Sequence, residues 1–236
     1  MVEAVVLLPG ILCDDRVFAH QASGLEKGRT VCVRTPQSGQ KIEEMAEDLL
    51  ADLPERFALA GQGLGGNIAL EILKRAPERV SRLGLISTCL LSETPMAAAL
   101  REERIVRARV GRMEDVLASE IQPKTLAPGS GRLAVLNTLG QMALDLGPDL
   151  FIRQSRAMQR KRDQHDLLRR CTVPTAVICG SDDGLTPRRR FDLMAHLAPC
   201  ATLHEIPNAG HLPSLEQPEA TLAALQSWLE MPLRLH

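Results

Sequence analysis

The densest chemical signal in this 236-residue chain is a glycine-rich run, Ala60-Gly61-Gln62-Gly63-Leu64-Gly65-Gly66, between a short apolar stretch and an amphipathic one. Two readings compete for it. Gly61-x-Gly63-x-x-Gly66 matches G-x-G-x-x-G, in which backbone N–H groups at a helix start cradle a dinucleotide pyrophosphate. Gly61-Gln62-Gly63-Leu64-Gly65 also matches G-x-S-x-G, the sharp strand-to-helix turn that presents a nucleophilic serine, with glycine at the serine position. Farther on, Cys179-Gly180-Ser181-Asp182-Asp183 and Asn208-Ala209-Gly210-His211 each place a titratable residue just after an apolar run. A carboxylate behind an imidazole fixes its tautomer and lets the ring move protons.

What surrounds the glycines weighs the two readings. A dinucleotide site needs an acid about 20 residues on, at the tip of the next strand. The next run, 82–86, ends in Ser87-Thr88, and Glu78 precedes it. The serine-type turn instead requires an acid after a later strand and a histidine after the last one. Asp183 and His211 stand in that order, and the Gly180-x-x-Asp183 spacing favours Asp183 over Asp182 as the acid. Leu7-Leu8-Pro9-Gly10-Ile11, after the first run, would add a backbone N–H to an oxyanion hole. A dinucleotide-binding oxidoreductase stays as the alternative.

These residues need a sheet to hold them. Apolar, β-branched runs at 2–8, 30–33, 57–60, 82–86, 175–179 and 202–206 read as strands, and each ends in turn residues. Helical patterns at 42–53, 64–75, 188–197 and 219–229 alternate with them. Near-continuous apolar runs are the mark of parallel strands covered on both faces, so the fold class is α/β with a doubly wound sheet. The alternation breaks between the fourth and fifth strands. There, 96–109, 113–120, 133–146 and 150–159 read as helices without an intervening strand, a helical cap over the carboxyl ends of the strands.

The motifs LLPGILCDD, GQGLGG, CGSDDGLTP and NAGHLPSLEQPE resemble those of α/β-hydrolases of the small esterase, lactonase and carboxylesterase type, over nearly the whole chain. The resemblance implies an α/β-hydrolase core at 1–88 and 171–236 with a helical cap at 89–170. It implies Ser-His-Asp acyl transfer on a small carboxylic ester or lactone, without a cofactor or metal. On this chain His211 takes the place of the base, Asp183 of the acid, Gly63 of the nucleophile, and Ile11 and Leu64 of the oxyanion N–H donors. Because the first run begins at Val2, the edge hairpin that precedes it in the family is expected to be missing, leaving a mostly parallel sheet of about six strands.

The departure falls on the attacking atom, since glycine has no Oγ. Glycine adopts the strained turn freely, but no acyl-enzyme forms without a nucleophile. Three accounts of Gly63 stay open. It is a serine replacement that traps substrate, or a natural residue in an enzyme whose His211 and Asp183 activate water or run lyase-type base chemistry, or the mark of a non-catalytic binding member.

Composition excludes several other classes. Net charge is −1, from 28 Lys and Arg against 29 Asp and Glu, so no charged tail invites a polyanion. With 2% aromatic residues and no tyrosine, base-stacking platforms are not expected, and nucleic acid is excluded as a partner. Apolar runs fall far short of the roughly 20 residues of a membrane span. The opening MVEAVVLLPG lacks the regions of a signal peptide, and the six scattered cysteines read as reduced, buried thiols, so a cytoplasmic protein is expected. The basic clusters at 101–112, 153–162 and 188–190 read as solvated helix faces with i,i+4 partners. His20, His165, His196, His204 and His236 read as surface residues.

Overall fold

In the computed structural model, which describes residues 3–120 and 122–233, six strands form one sheet in the order β2-β1-β3-β4-β5-β6. They are β1 (Ala4–Leu8), β2 (Val31–Val33), β3 (Phe57–Gln62), β4 (Val80–Ile86), β5 (Thr175–Gly180) and β6 (Ala201–Ile206). Every neighbouring pair is parallel. Val2 and His236 lie outside the described residues.

Burial explains the order. β3, β4 and β5 are buried along their whole length, whereas the edge strands β2 and β6 are largely half-buried or exposed. Side chains alternate between two layers: Val6, Leu8 and Leu59 join one core, Val5, Leu7, Ala58 and Ala60 the other. Helices α1 (Ala19–Leu25), α2 (Ile42–Asp52) and α3 (Leu64–Arg75) link the first four strands. In α2 a stripe of Ile42, Met45, Ala46 and Leu49 is buried, while Glu44, Glu47 and Asp48 face water.

Between β4 and β5 run α4 (Pro95–Arg109), α5 (Met113–Glu120), α6 (Arg132–Arg160) and α7 (His165–Arg169). The two expected helices at 133–146 and 150–159 are halves of α6, bent at Gly147, whose φ of 76° is followed by Pro148. Proline cannot donate the intrahelical bond, and its ring crowds the preceding turn, so the axis breaks there. α8 (Arg188–Leu197), α9 (Pro213–Glu216) and α10 (Pro218–Glu230) complete the chain. On one face of the sheet α2, α3 and α8 supply the core; on the other, Phe18 and α10 with its buried Trp228 supply it.

The arginines of 89–170 depart from expectation. Arg107–Glu103 is an i,i+4 pair, but Arg101 reaches Glu93 and Glu120, Arg104 reaches Glu120, and Arg156 reaches Glu102 on another helix. These ion pairs tie α4, α5 and α6 together instead of decorating separate faces. Among the described residues no helix is long and apolar enough to cross a membrane.

Candidate active site

β3 stops at Gln62 and α3 starts at Leu64, so Gly63 makes the whole turn, with φ 53° and ψ −112°. Few residues other than glycine sit easily there. Its N–H donates to Ile86 O at 2.9 Å, and its carbonyl accepts from Gly66 N–H at 3.1 Å and from Asn67 Nδ2 at 2.9 Å. The flanking glycines answer a different need. A Cβ on Gly65 would stand 2.0 Å from Leu8 O, and one on Gly61 2.2 Å from the Gly65 backbone, so the first strand's exit loop and α3 meet backbone to backbone.

That contact sets the loop of Ile11 close to the start of α3 at Leu64, the two residues expected from the sequence to be backbone donors. Leu64 is the first residue of α3, whose leading N–H groups have no intrahelical acceptor and carry the positive end of the helix dipole. Ile11 follows Gly10, whose Cα lies 4.0 Å from where a Cβ of Gly63 would stand. Beyond it Leu12 takes a φ of 60°, unusual for a branched side chain, and its N–H donates to Gln154 Oε1 at 3.1 Å. Gln154 is fully buried in α6 and donates through Nε2 to Pro36 O at 3.0 Å. The side chains of Ile11 and Leu12 pack with Ala108, Met113, Val116, Ala143 and Phe151, all from the helices between β4 and β5.

The carboxylate and the imidazole meet across the ends of β5 and β6. His211 Nδ1–H donates to Asp183, 2.9 Å from Oδ2 and 3.1 Å from Oδ1. The Asp183 side chain is 1% exposed, and its Oδ1 also accepts from the N–H groups of Leu185 and Thr186, each at 2.9 Å. Those bonds satisfy a buried charge and aim it at the ring. With Nδ1 engaged, Nε2 is the nitrogen left to act as a base. Asp182 is exposed and accepts from Ser181 Oγ at 2.7 Å.

Close packing registers the two turns. A Cβ on Gly180 would stand 2.1 Å from Ala209 O. Ser214 Oγ donates to the buried Gln62 Oε1 at 3.1 Å, which joins the histidine turn to the residue before Gly63. Glu216 was not singled out by its sequence, although it falls within the quoted stretch after His211. Its carboxylate accepts from the N–H groups of Ala127, Gly210 and Leu212 at 2.7, 2.9 and 2.9 Å, clamping the histidine turn to the segment before α6. His20 and His196 are exposed, while His165 and His204 are half-buried. Neither of the latter touches the site: His165 pairs with Asp163, and His204 with Thr202.

No group of three or more His, Cys, Asp or Glu among the described residues has the arrangement of a metal site. A cavity of about 520 Å³, lined in part by Leu70, Val80, Leu167 and Val173, opens where the strands begin, at the other end of the sheet from Gly63, Asp183 and His211.

The chain shares its fold and part of its sequence with known proteins. It is 27% identical over 204 residues to the pimeloyl-acyl-carrier-protein methyl ester esterase of Aromatoleum aromaticum, covering 78% of each chain. Among solved structures, a thermophilic esterase from Thermogutta terrifontis superposes with a TM-score of 0.88 at 26% identity, over 96% of this chain and 89% of that one. An enol-lactonase from Burkholderia xenovorans shares the fold, with a TM-score of 0.86 at 19% identity over 97% of this chain and 92% of that one. The sequence profile of the alpha/beta hydrolase family matches residues 5–225, and the chain belongs to that family.

Proposed function

We propose that this site binds a small carboxylic ester or lactone for acyl transfer, with His211 as the base and Asp183 as the acid that orients it. The backbone N–H groups of Ile11 and Leu64 are the oxyanion donors, and the helices of 89–170 form a cap over the substrate. The observation that carries the reading is the bond between His211 Nδ1 and a carboxylate 1% exposed, in a molecule whose strand-to-helix turn sits at φ 53°. Relatives that are esterases by name support an ester as the substrate. No cofactor is needed for this chemistry.

On this reading a serine at position 63 completes a Ser-His-Asp triad. Nε2 of His211 takes the hydroxyl proton, the oxygen attacks the acyl carbon, and the developing oxyanion is met by the two backbone donors. Asp183 stabilises the imidazolium and holds its tautomer. Proton return from Nε2 expels the alcohol, and water then releases the acid. In the chain as it stands Gly63 withholds the first bond, so no acyl-enzyme forms.

The test is a paired assay of the chain and its Gly63→Ser variant on a panel of acyl esters and lactones. Serine is expected to raise hydrolysis by up to roughly 10⁶-fold, the order by which loss of its nucleophile lowers kcat in a comparable enzyme. Equal rates for the two proteins would remove acyl transfer from this site.

A further inference from the structure

The glycines of the turn differ in one respect that bears on what the chain itself can do. A Cβ on Gly61, Gly65 or Gly66 would run into backbone or the Thr88 side chain at 2.0–2.2 Å. At Gly63 the nearest heavy atom to a Cβ is Gly10 Cα, at 4.0 Å, with nothing else inside that distance. The conformation is thus one that glycine favours, while the space in front of it is open. A serine would fill that space with one carbon and one hydroxyl, which is the bulk of methanol.

On the reading above, the groups that would serve an attacking oxygen sit on the elements around this space. The Leu64 N–H heads α3 beside this space, and the loop that carries Ile11 is pressed against it through Gly10. The histidine turn is joined to Gln62, one residue before Gly63, by the Ser214–Gln62 bond. His211 is already oriented by Asp183 and has a second ring nitrogen to spare.

We propose that the space before Gly63 takes a small alcohol from solution and that the chain transfers an acyl group directly to it, with no covalent enzyme intermediate. This rests on the acyl-transfer reading above. His211 Nε2 accepts the proton of the alcohol O–H while its oxygen forms a bond to the acyl carbon. The tetrahedral oxyanion collapses, the C–O bond to the original alcohol breaks, and that alkoxide leaves with the proton from Nε2. One ester and one alcohol become another ester and another alcohol, with no change of oxidation state. Water entering the same space would give the acid instead, but it brings no carbon to fill the place of the serine methylene. Because the nucleophile is untethered, turnover stays well below that of a serine enzyme, where intramolecular placement is worth effective molarities of roughly 10⁵ M or more.

The experiment supplies a p-nitrophenyl acyl ester and increasing methanol to the chain and to its Gly63→Ser, Gly63→Ala and His211→Ala variants. Release of p-nitrophenol is followed by absorbance and the methyl ester by mass spectrometry. For the Gly63 protein, methyl ester formation is expected to saturate with methanol and to exceed the His211→Ala rate by roughly 10²-fold, the lower range of general-base catalysis. Gly63→Ala puts a methyl group in the space and is expected to abolish the effect. If Gly63→Ser hydrolyses the ester while the Gly63 protein shows no methanol-dependent product, or shows it equally in Gly63→Ala, direct transfer is overturned and the acyl-transfer site survives. If Gly63→Ser is itself inert on the ester panel, the site reading fails and the proposal fails with it.

Discussion

At φ 53° and ψ −112°, Gly63 occupies backbone space that a residue with a Cβ enters at a cost of about 1–3 kcal/mol. Crowding adds nothing to that cost, since the nearest atom to the new Cβ would be 4.0 Å away. The turn is held from both sides, by Ile86 O on the Gly63 N–H and by Asn67 on its carbonyl, so it cannot relax into an easier conformation. Gly63→Ser is therefore expected to lower the unfolding free energy by about 1–3 kcal/mol while it raises ester hydrolysis. Gly63→Ala is expected to lose the same stability and gain no activity. Urea denaturation midpoints of the three proteins check this. A serine variant as stable as the glycine protein would mean that the turn rearranges, and the activity comparison would then no longer report on a nucleophile in fixed geometry.

The element that carries the proposed oxyanion donor is built as much by α6 as by β1. Leu12 and Ile11 bury their side chains among residues of α4, α5 and α6, and Gln154 of α6 holds the Leu12 N–H. A second tie links the same loop to the other half of α6: Arg16 binds Asp14 next to the loop and Asp145 across from it. Gln154 is thus a positioning residue for Ile11. In the Gly63→Ser background, Gln154→Leu is expected to lower kcat with little change in KM. It should also cost about 1–3 kcal/mol for each of the two buried groups left unpaired, the Leu12 N–H and Pro36 O. Gln154→Glu keeps an acceptor for Leu12 and should recover most of kcat. Equal losses in both variants would reduce Gln154 to a stability role. This contact also marks where reading the sequence stops. Strands were legible as near-continuous apolar runs and long helices as apolar residues at a period of 3.6, and β3 to β5 and α2 fall where those signals put them. Asp183 and His211 were legible because each follows a strand within a few residues. Gln154 and Leu12 are 142 residues apart, and no local pattern links a mid-helix glutamine to a distant loop N–H. α1, α7 and α9 span seven, five and four residues, too few for an apolar stripe to declare itself.

Across the whole molecule, the six cysteines sample how the layers open. All are free; Cys13, Cys171 and Cys179 are buried, and Cys32, Cys89 and Cys200 are half-buried, so the expectation of uniformly buried thiols holds for three of them. Burial pushes the thiols of Cys13 and Cys179 up to about 12, leaving almost no thiolate at neutral pH. The two report on different parts. Cys13 closes the loop after β1 and packs into the layer of α10, whereas Cys179 lies inside β5 and belongs to the layer of α2, α3 and α8. Iodoacetamide on the native protein is expected to label Cys32, Cys89 and Cys200 quickly, with all six labelled in denaturant, as read by intact mass and peptide mapping. Labelling of Cys13 and Cys179 should be slow and equal, because each becomes accessible only when the sheet and its helices come apart together. Faster labelling of Cys13 than of Cys179 would mean that the loop bearing Ile11 detaches while the sheet stays folded. The proposed oxyanion site would then be assembled by closure of the helices over it, and the ties through Gln154 and Arg16 would act as the latch of that closure.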